Sequence, residues 1–380
     1  VVLKLRQGVE GLAKARKVEV LHGRALFDDS QTLRVESTQG QRFFTFNHAI
    51  IASGSRPFIP SSMDLGNPRI MTSTEALDLD DIPKELLVVG GGYIGMELGS
   101  VYASLGSNVS VVEALPELLA GADSDLVRVF QKYVSQKISN IYTSYSVKKM
   151  ATKGKKIQVE MVSDKDQKLI DFDKVLVSVG RKPNSDDLGL ENTNVKIDDQ
   201  GCIIIDDCCE TTDANIFAIG DVAGGIQLAH KATKEAKVAS AKILGETSLI
   251  LDDFVIPAVV FTDPEIAWVG LNEKEAKADQ VPVKVSKFPW TASGRALTLN
   301  RTEGMTKVIS DPNTGRVLGV GIVGEHAGDL ISEAVLAVQS GMTVMDLAEI
   351  IHPHPTLSES LMESAEHALG LCTHMVPSKK

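Results

Sequence analysis

Leu86-Leu87-Val88-Val89-Gly90-Gly91-Gly92-Tyr93-Ile94-Gly95 reads as a short buried strand that runs straight into a G-x-G-x-x-G turn. Behind the turn, Ile94, Leu98, Val101, Tyr102 and Leu105 are spaced for one helical face, and Gly106-Ser107-Asn108 ends the helix. The next strand, Val109-Ser110-Val111-Val112, ends in Glu113. This order is the dinucleotide-binding βαβ unit, and each part has a physical task. Gly90 permits the tight turn, Gly92 lets the backbone approach a pyrophosphate, and Gly95 lets helix and strand pack closely. The helix N-terminus offers unpaired N–H groups and partial positive charge to the phosphates. Glu113 can accept hydrogen bonds from a ribose diol and would repel a 2′-phosphate. Ala114 beside it supplies no arginine, so the pattern selects NAD over NADP. A glycine turn without a ligand is the competing reading, and five features in register weigh against it.

The whole chain has 380 residues, which at about 150 residues per domain suggests two or three domains. With 43% hydrophobic and 23% charged residues it is globular rather than disordered, with ample material for a core. The net charge of −11 argues against nucleic-acid binding, which wants a basic face. No apolar run reaches the roughly 18–20 residues of a membrane span. Four cysteines are too few for a disulfide framework, which points to a reducing compartment. The first residues, Val1-Val2-Leu3-Lys4-Leu5, look like neither an initiator methionine nor a targeting peptide. The expectation is a sequence that begins inside a helix, over about 3–15.

Strands are expected at 18–22, 32–37 and 42–51, then a connector over about 55–83 rich in Pro, Ser and Asp. Strand and helix then alternate, which signals a parallel α/β sheet. Beyond Asp253 the character shifts. Strands are expected at 254–261 and 317–323, with helices at 327–341, 344–350 and 356–370. Ala49–Pro57 echoes Val175–Pro183, each an apolar strand ending in Gly, then Arg and Pro. Two such exits bracketing an α/β segment are what an inserted domain produces.

Two further constellations carry chemistry. Asn215–Asp221 is a strand ending in Gly220-Asp221, which projects an acceptor from the edge where open α/β sheets bind ligands; Gln227-Leu228-Ala229-His230-Lys231 then opens a helix. A plain turn is the rival reading. His352-Pro353-His354-Pro355-Thr356-Leu357-Ser358-Glu359 pairs an imidazole with a carboxylate five positions on, the orienting logic of an acid–base dyad. A solvated histidine before a helix start is the rival there.

Together these stretches resemble the flavoprotein disulfide reductases, most closely the branch that oxidises dihydrolipoamide with NAD. The likeness covers essentially the whole chain. It rests on Gly90–Glu97 with Glu113, Gly180-Arg181-Lys182-Pro183-Asn184, Gly220-Asp221, Leu228–Lys231, Phe261-Thr262-Asp263-Pro264-Glu265 and the His354/Glu359 motif. The resemblance implies an α/β fold: an incomplete Rossmann-like FAD domain with an inserted Rossmann-like NAD domain, plus a C-terminal α+β dimerisation domain. The parts would be 1–79 and 183–255 for FAD, 80–182 for NAD and 256–380 for dimerisation. FAD would be held by Asp221 on its ribityl chain, by Gln227, Leu228, Ala229 and His230 near its ring, and by Ala25, Ser53, Gly54, Ser55 and Gly220. NAD would be held by Gly90, Gly91, Gly92, Tyr93, Ile94, Gly95, Glu113, Val147 and Gly180. Glu97 would lie at the flavin–nicotinamide contact and pair with a lysine. His354 would serve as acid–base residue, polarised by Glu359, and reach the partner subunit's flavin site. No metal site is implied.

The resemblance also implies a homodimer serving the lipoyl group of a 2-oxo acid dehydrogenase acyltransferase or a glycine cleavage carrier protein. The compartment would be the cytoplasm, or the mitochondrial matrix in a eukaryote. The family's first βαβ unit, its C-x4-C redox pair and the lysine partner of Glu97 have no counterpart in these 380 residues. Cys202, Cys208, Cys209 and Cys372 offer no such spacing, and the vicinal Cys208-Cys209 is expected on a surface or turn. Dihydrolipoamide turnover by this chain alone is therefore not expected. Ser53 stands where Thr is usual and keeps the hydroxyl. Rival readings are a glutathione-reductase-like enzyme, a soluble pyridine nucleotide transhydrogenase, and a truncated non-catalytic product that binds NAD or dimerises. An arginine near Ala114 would favour the first; His354 argues against the second, which needs no thiol base.

Overall fold

A parallel sheet carries the glycine turn. Its strands run Ile70–Met71, Lys174–Val177, Glu85–Val89, Asn108–Glu113 and Asn140–Thr143 in spatial order. Glu85–Val89 has neighbours reached by opposite crossovers, so the sheet reverses its winding there, at the edge where ligands of such sheets bind. The sequence explains the burial. Leu86, Leu87, Val88, Val109, Val111 and Val112 are all buried, because a parallel sheet is covered on both faces. The computed structural model describes residues 1–246, 249–251 and 254–375.

The chain divides into two compact units. One is Val1–Ser55 with Pro183–Leu251, the other Arg56–Lys182 with Asp252–Lys380. The first two of the three passages between them fall in the strands Ser55–Pro57 and Arg181–Pro183, which pair with each other and are the two echoed exits of the sequence; the third follows Leu251.

In the first unit, Arg24–Asp29, Thr32–Ser37 and Gly40–Thr45 form an antiparallel sheet, and Ala49–Ile51 pairs in parallel with Ile216–Ala218. Phe27, Ile51, Leu190, Ile203, Ile216 and Val222 make its core. The helix Val2–Ala15 buries none of its residues within the unit. Residues 18–22 are not a strand. Val18, Val20 and Leu21 are exposed, and β-propensity without a pairing partner makes no strand. The expected strand 42–51 is two, because the turn after Thr45 breaks it. Ile203 and Ile205 make isolated antiparallel bridges to Ile197 and Thr211.

In the second unit, the nucleotide-type sheet is followed by an antiparallel sheet of Ser146–Lys153, Lys156–Val162 and Gln167–Phe172. The expected connector holds the helix Ser73–Asp78, started by a Thr72/Glu75 capping box. Beyond Phe254, a five-stranded antiparallel sheet orders Ala258–Val260, Glu265–Gly270, Val317–Gly324, Met305–Ser310 and Lys284–Pro289. Helices Ala327–Gln339 and Glu359–Leu369 pack on it around Trp290, Ile331, Leu361 and Ala365. The expected strand 254–261 shrinks to Ala258–Val260, and the last helix starts at Glu359 because Thr356–Ser358 form its entry. The end of the segment 256–380 lies outside the described residues.

Lys307 joins the two halves of this unit. Its side chain is 0% exposed and its Nζ lies 2.5 Å from Asp123, 2.8 Å from Asp125 and 2.9 Å from Glu273. Burial pushes the ammonium towards neutrality, and three carboxylates outweigh it and hold the proton more tightly than usual. Asp123 also accepts the N–H of Glu273 at 3.0 Å. Lys307→Ala takes the fully buried cation away from Asp123, Asp125 and Glu273 and leaves them the part-exposed Lys287, 2.6 Å from Asp125. It is expected to lower stability by about 3–5 kcal/mol, read as a shift of the urea midpoint of this unit; a change below about 1 kcal/mol would contradict the account.

Candidate functional site

The glycine turn lies at the carboxyl end of Glu85–Val89 and feeds the helix Tyr93–Ser104, whose N-cap is Gly92. Gly90 has φ of +104°, which a side chain rarely tolerates, and a Cβ there would meet the Ser178 carbonyl at 2.4 Å. A Cβ at Gly95 would lie 2.0 Å from the Gly90 carbonyl and 2.7 Å from Ser178 Oγ. Ser178 Oγ donates to the Val89 and Gly90 carbonyls at 3.0 and 3.2 Å, tying the neighbouring strand to the turn. Helix, turn and sheet thus meet at van der Waals limits. The buried face of the helix is Gly95, Met96, Leu98, Gly99 and Tyr102, while Val101 and Leu105 of the expected face are exposed. The close approach to the sheet turns Gly95 and Gly99 inward and rotates those two outward.

A Cβ at Gly92 would meet nothing of the protein within 4 Å. The fold does not require that glycine, but a phosphate group brought to the helix N-terminus does, because the added methyl would occupy its cradle. Glu113 reaches back over the turn. Its Oε2 accepts the Gly91 N–H at 2.6 Å and its Oε1 the Leu115 N–H at 2.7 Å. Two main-chain donors fix the carboxylate, and its remaining lone pairs suit a diol. Leu119 N–H donates to the Gly91 carbonyl at 2.9 Å, so the segment leading to Asp123 also supports the turn. Tyr93 stands 40% exposed at the helix start, and Ile94 packs on the core behind it. Val147 lies on the strand Ser146–Lys153, packed against the core of this sheet. Gly180, at φ +137°, follows the strand Lys174–Val177 and accepts the Phe58 N–H. These residues fit a pyridine dinucleotide.

Glu97 is half-buried in the same unit. Its Oε1 accepts the Phe261 N–H at 2.8 Å. Burial raises its carboxyl above the ordinary range, and that hydrogen bond only partly offsets it.

In the other unit, the ends of Ala49–Ile51 and Ile216–Ala218 lie side by side. Their continuations therefore bring Ser53, Gly54 and Ser55 to the same edge as Gly220 and Asp221. Ser55 Oγ donates to the Asp221 carboxylate. Ser53 Oγ donates to the Asn184 carbonyl at 2.8 Å, and Asn184 Nδ2 returns a bond to the Ser53 carbonyl at 2.9 Å. Gly220, at φ +75°, donates its N–H to Glu235 Oε2 at 2.7 Å, and Glu235 Oε1 lies 2.5 Å from Lys231 Nζ. Lys231 also donates to the Gly224 carbonyl at 2.7 Å. This buried pair fixes the turn that presents Asp221. No motif reading reached Glu235, although Lys231 and Glu235 stand four apart on a helix, which is the local signal. Gln227 and Leu228 are half-buried, Ala229 and His230 are exposed at the helix start, and Ala25 is exposed on the strand Arg24–Asp29. A carboxylate, hydroxyls and turn amides gathered on one sheet edge fit the polar chain of a flavin cofactor.

The four cysteines are free. Cys208 lies on a turn, as expected, but Cys209 is buried. Burial first, then the Glu235 charge, push its thiol up to about 12. Such a thiol is inert as a nucleophile.

His354 Nδ1 lies 2.9 Å from Glu359 Oε1, and Glu359 Oε2 accepts the Thr356 N–H at 2.8 Å. The carboxylate can only accept, so Nδ1 carries the proton and Nε2 is left basic. The His354 ring is 73% exposed, while Glu359 is 19% exposed. Burial pushes the Glu359 carboxyl up, but the Thr356 N–H and His354 outweigh it and hold it below the ordinary range. The cleft beside them, about 170 Å³, is lined by Phe288, Leu297, His354, Glu359, Glu363 and His374. Sequence reading missed His374. A hydrogen bond to Glu363 keeps its imidazole protonated to higher pH than usual.

Residues 1–236 match the pyridine nucleotide-disulphide oxidoreductase family, and residues 256–365 match the dimerisation domain of the same family. The chain belongs to the pyridine nucleotide-disulphide oxidoreductase family. It is 44% identical over 376 residues to a dihydrolipoyl dehydrogenase of Geobacillus stearothermophilus, covering 99% of this chain and 80% of that one. It is 43% identical over 377 residues to a dihydrolipoyl dehydrogenase of Bacillus subtilis, with the same coverage. Among solved structures, LpdA of Mycobacterium tuberculosis is similar at a TM-score of 0.87 and 28% identity, over 96% of this chain and 81% of that one. The HOCl-induced flavoprotein disulfide reductase RclA of Escherichia coli, as a variant in a Cu(II) complex, is similar at 0.87 and 28%, over 94% and 81%. Pyridine nucleotide-disulphide oxidoreductases work with FAD and NAD, and both expected cofactors therefore stand. No described helix is long and apolar enough to cross a membrane.

Two glycine variants separate fold from binding. Gly95→Ala is expected to cost about 1–3 kcal/mol of stability through overpacking. Gly92→Ala is expected to leave the melting temperature unchanged but weaken NADH at least about tenfold, or 1.4 kcal/mol, in a fluorescence titration. Equal NADH affinity in Gly92→Ala would count against the phosphate cradle. The Glu359 carboxyl has a folded value below its ordinary 4.5. Its contribution to stability is full above that value and is lost as pH falls through the folded one. Glu359→Gln is therefore expected to destabilise the chain at neutral pH and to matter progressively less on acidification, as chemical denaturation at several pH values would show.

Proposed function

We propose that this chain carries the nucleotide-binding and acid–base parts of a dihydrolipoyl dehydrogenase. The observation that carries the reading is the His354–Glu359–Thr356 arrangement, an imidazole with one nitrogen fixed and the other basic and exposed. A dithiol substrate needs a base for its thiol proton, whereas hydride exchange between two nucleotides needs none. The dihydrolipoyl dehydrogenases at 39–44% identity support the same substrate.

The residues divide the work. Gly90 to Gly95 and Glu113 bind and orient the NAD end, with Val147 and Gly180 beside it and Glu97 at the nicotinamide side. Ser53, Gly54, Ser55, Gly220, Asp221 and Gln227 to His230, with Ala25, hold the flavin. His354 Nε2 takes the proton from a substrate thiol, and Glu359 steadies the imidazolium that results. Bound FAD and NAD supply the electron transfer itself. On this reading 1–79 and 183–255 serve FAD, 80–182 NAD, and 256–380 dimerisation. The protein is a cytoplasmic homodimer, its partners are lipoyl groups on carrier proteins, and His354 acts at the partner subunit's flavin.

Assayed alone with FAD, dihydrolipoamide and NAD, the 380-residue chain is expected to show no turnover, since Cys202, Cys208, Cys209 and Cys372 form no C-x4-C pair. Turnover would overturn the need for that pair. Joined to the disulfide-bearing segment of a family relative, the chain is expected to oxidise dihydrolipoamide. His354→Gln should then lower that rate by about 10²–10⁴ and spare NADH-driven reduction of an artificial acceptor. Equal loss of both activities would contradict the role given to His354.

A further inference from the structure

His352 stands two residues before His354, yet its ring faces the opposite situation. The His352 side chain is 4% exposed, against 73% for His354. Its Nδ1 lies 2.9 Å from the Ile350 carbonyl, and its Nε2 lies 2.7 Å from Glu333 Oε1. Ile350 closes the helix Val344–Glu349, and Glu333 belongs to the helix Ala327–Gln339. The ring therefore bridges the end of one helix to the side of another. A carbonyl and a carboxylate can only accept, so the ring holds this place through its own N–H.

Beyond His354 the chain is held a second time. Thr356 Oγ donates to the Pro353 carbonyl at 2.7 Å, and its N–H is bound by Glu359. His354 thus sits midway between two anchored residues. The geometry of its 2.9 Å bond to Glu359 requires the backbone to be fixed on both sides, because an exposed ring has no packing of its own to set it. The downstream anchor belongs to the motif that names Glu359. The upstream anchor is remote in sequence and has no other evident task.

We propose that His352, through Glu333, is a positioning residue that sets the ring orientation of His354. The inference rests on the acid–base reading of His354 only for its importance to catalysis; the positioning itself can be read without turnover.

The test is ¹⁵N NMR of the histidine rings in the 380-residue chain, which reports the tautomer of His354. The parent chain is expected to show His354 with its proton on Nδ1 alone. His352→Ala is expected to lose that single form and give a mixture of tautomers, with the circular dichroism spectrum preserved. Glu333→Ala, which removes the acceptor at a half-exposed helix position, should move the signals the same way, and it decides the matter if His352→Ala does not fold. His352→Gln keeps a donor towards Glu333 and is expected to recover most of the single form, which a merely structural loss would not do. An unchanged His354 pattern in both His352→Ala and Glu333→Ala would overturn the proposal. A failed dithiol assay with His354 would instead count against the acid–base reading, so the two failures are told apart.

Discussion

The contact on which the nucleotide site depends is the approach of helix Tyr93–Ser104 to the turn at Gly90. A Cβ on Gly95 would sit 2.0 Å from the Gly90 carbonyl, so the helix can dock at its angle only where that atom is missing. Docking sends the helix N-terminus across the carboxyl edge of the sheet and places Glu113 over Gly91. On the proposed reading, phosphate binding and ribose recognition would both follow from that one clearance. The supports behind it are ordinary packing and hydrogen bonds: Ser178 across two strands, Leu118 beneath Gly91, and the Asp123 segment tied to Lys307.

The acid–base end is built on a different principle. The His354 side chain is left exposed, and its neighbours are the parts held in place. Glu359 is mostly buried and held by Thr356, and His352 is buried between Ile350 and Glu333. Exposure would give a substrate thiol access to Nε2 on the proposed reading, while the bond from Nδ1 to Glu359 settles which nitrogen is left basic. The flavin-type edge in the other unit follows a similar plan. Asp221 is presented by a turn whose amide is clamped by Glu235, and Glu235 is neutralised by Lys231. A buried ion pair of this kind adds little net stability but fixes one geometry.

Local chemistry was legible in the sequence wherever one stretch carried the whole message. The turn at Gly90, the acid at Glu113, the strand Thr32–Ser37 and the dyad His354/Glu359 are each read within about a βαβ unit or less. The failures have a common cause. Val18–His22 has strand composition but no partner, and Lys307 is an unremarkable lysine until Asp123, 184 positions away, is folded against it. Glu333 and His352 are likewise 19 apart and on different elements. Burial and pairing between distant residues leave no period in the sequence. The same holds for Val101 and Leu105, whose apolar spacing suggested a buried face until the two inward glycines rotated the helix.

The central claim is that the Gly90–Glu113 unit binds a pyridine dinucleotide and chooses between its two forms by a carboxylate. Calorimetric titration of the 380-residue chain with NADH and, separately, with NADPH tests this most directly. The account predicts one NADH per chain, with NADPH weaker by at least about tenfold, the equivalent of 1.4 kcal/mol of discrimination. Equal or tighter binding of NADPH, or no binding of either, would contradict it.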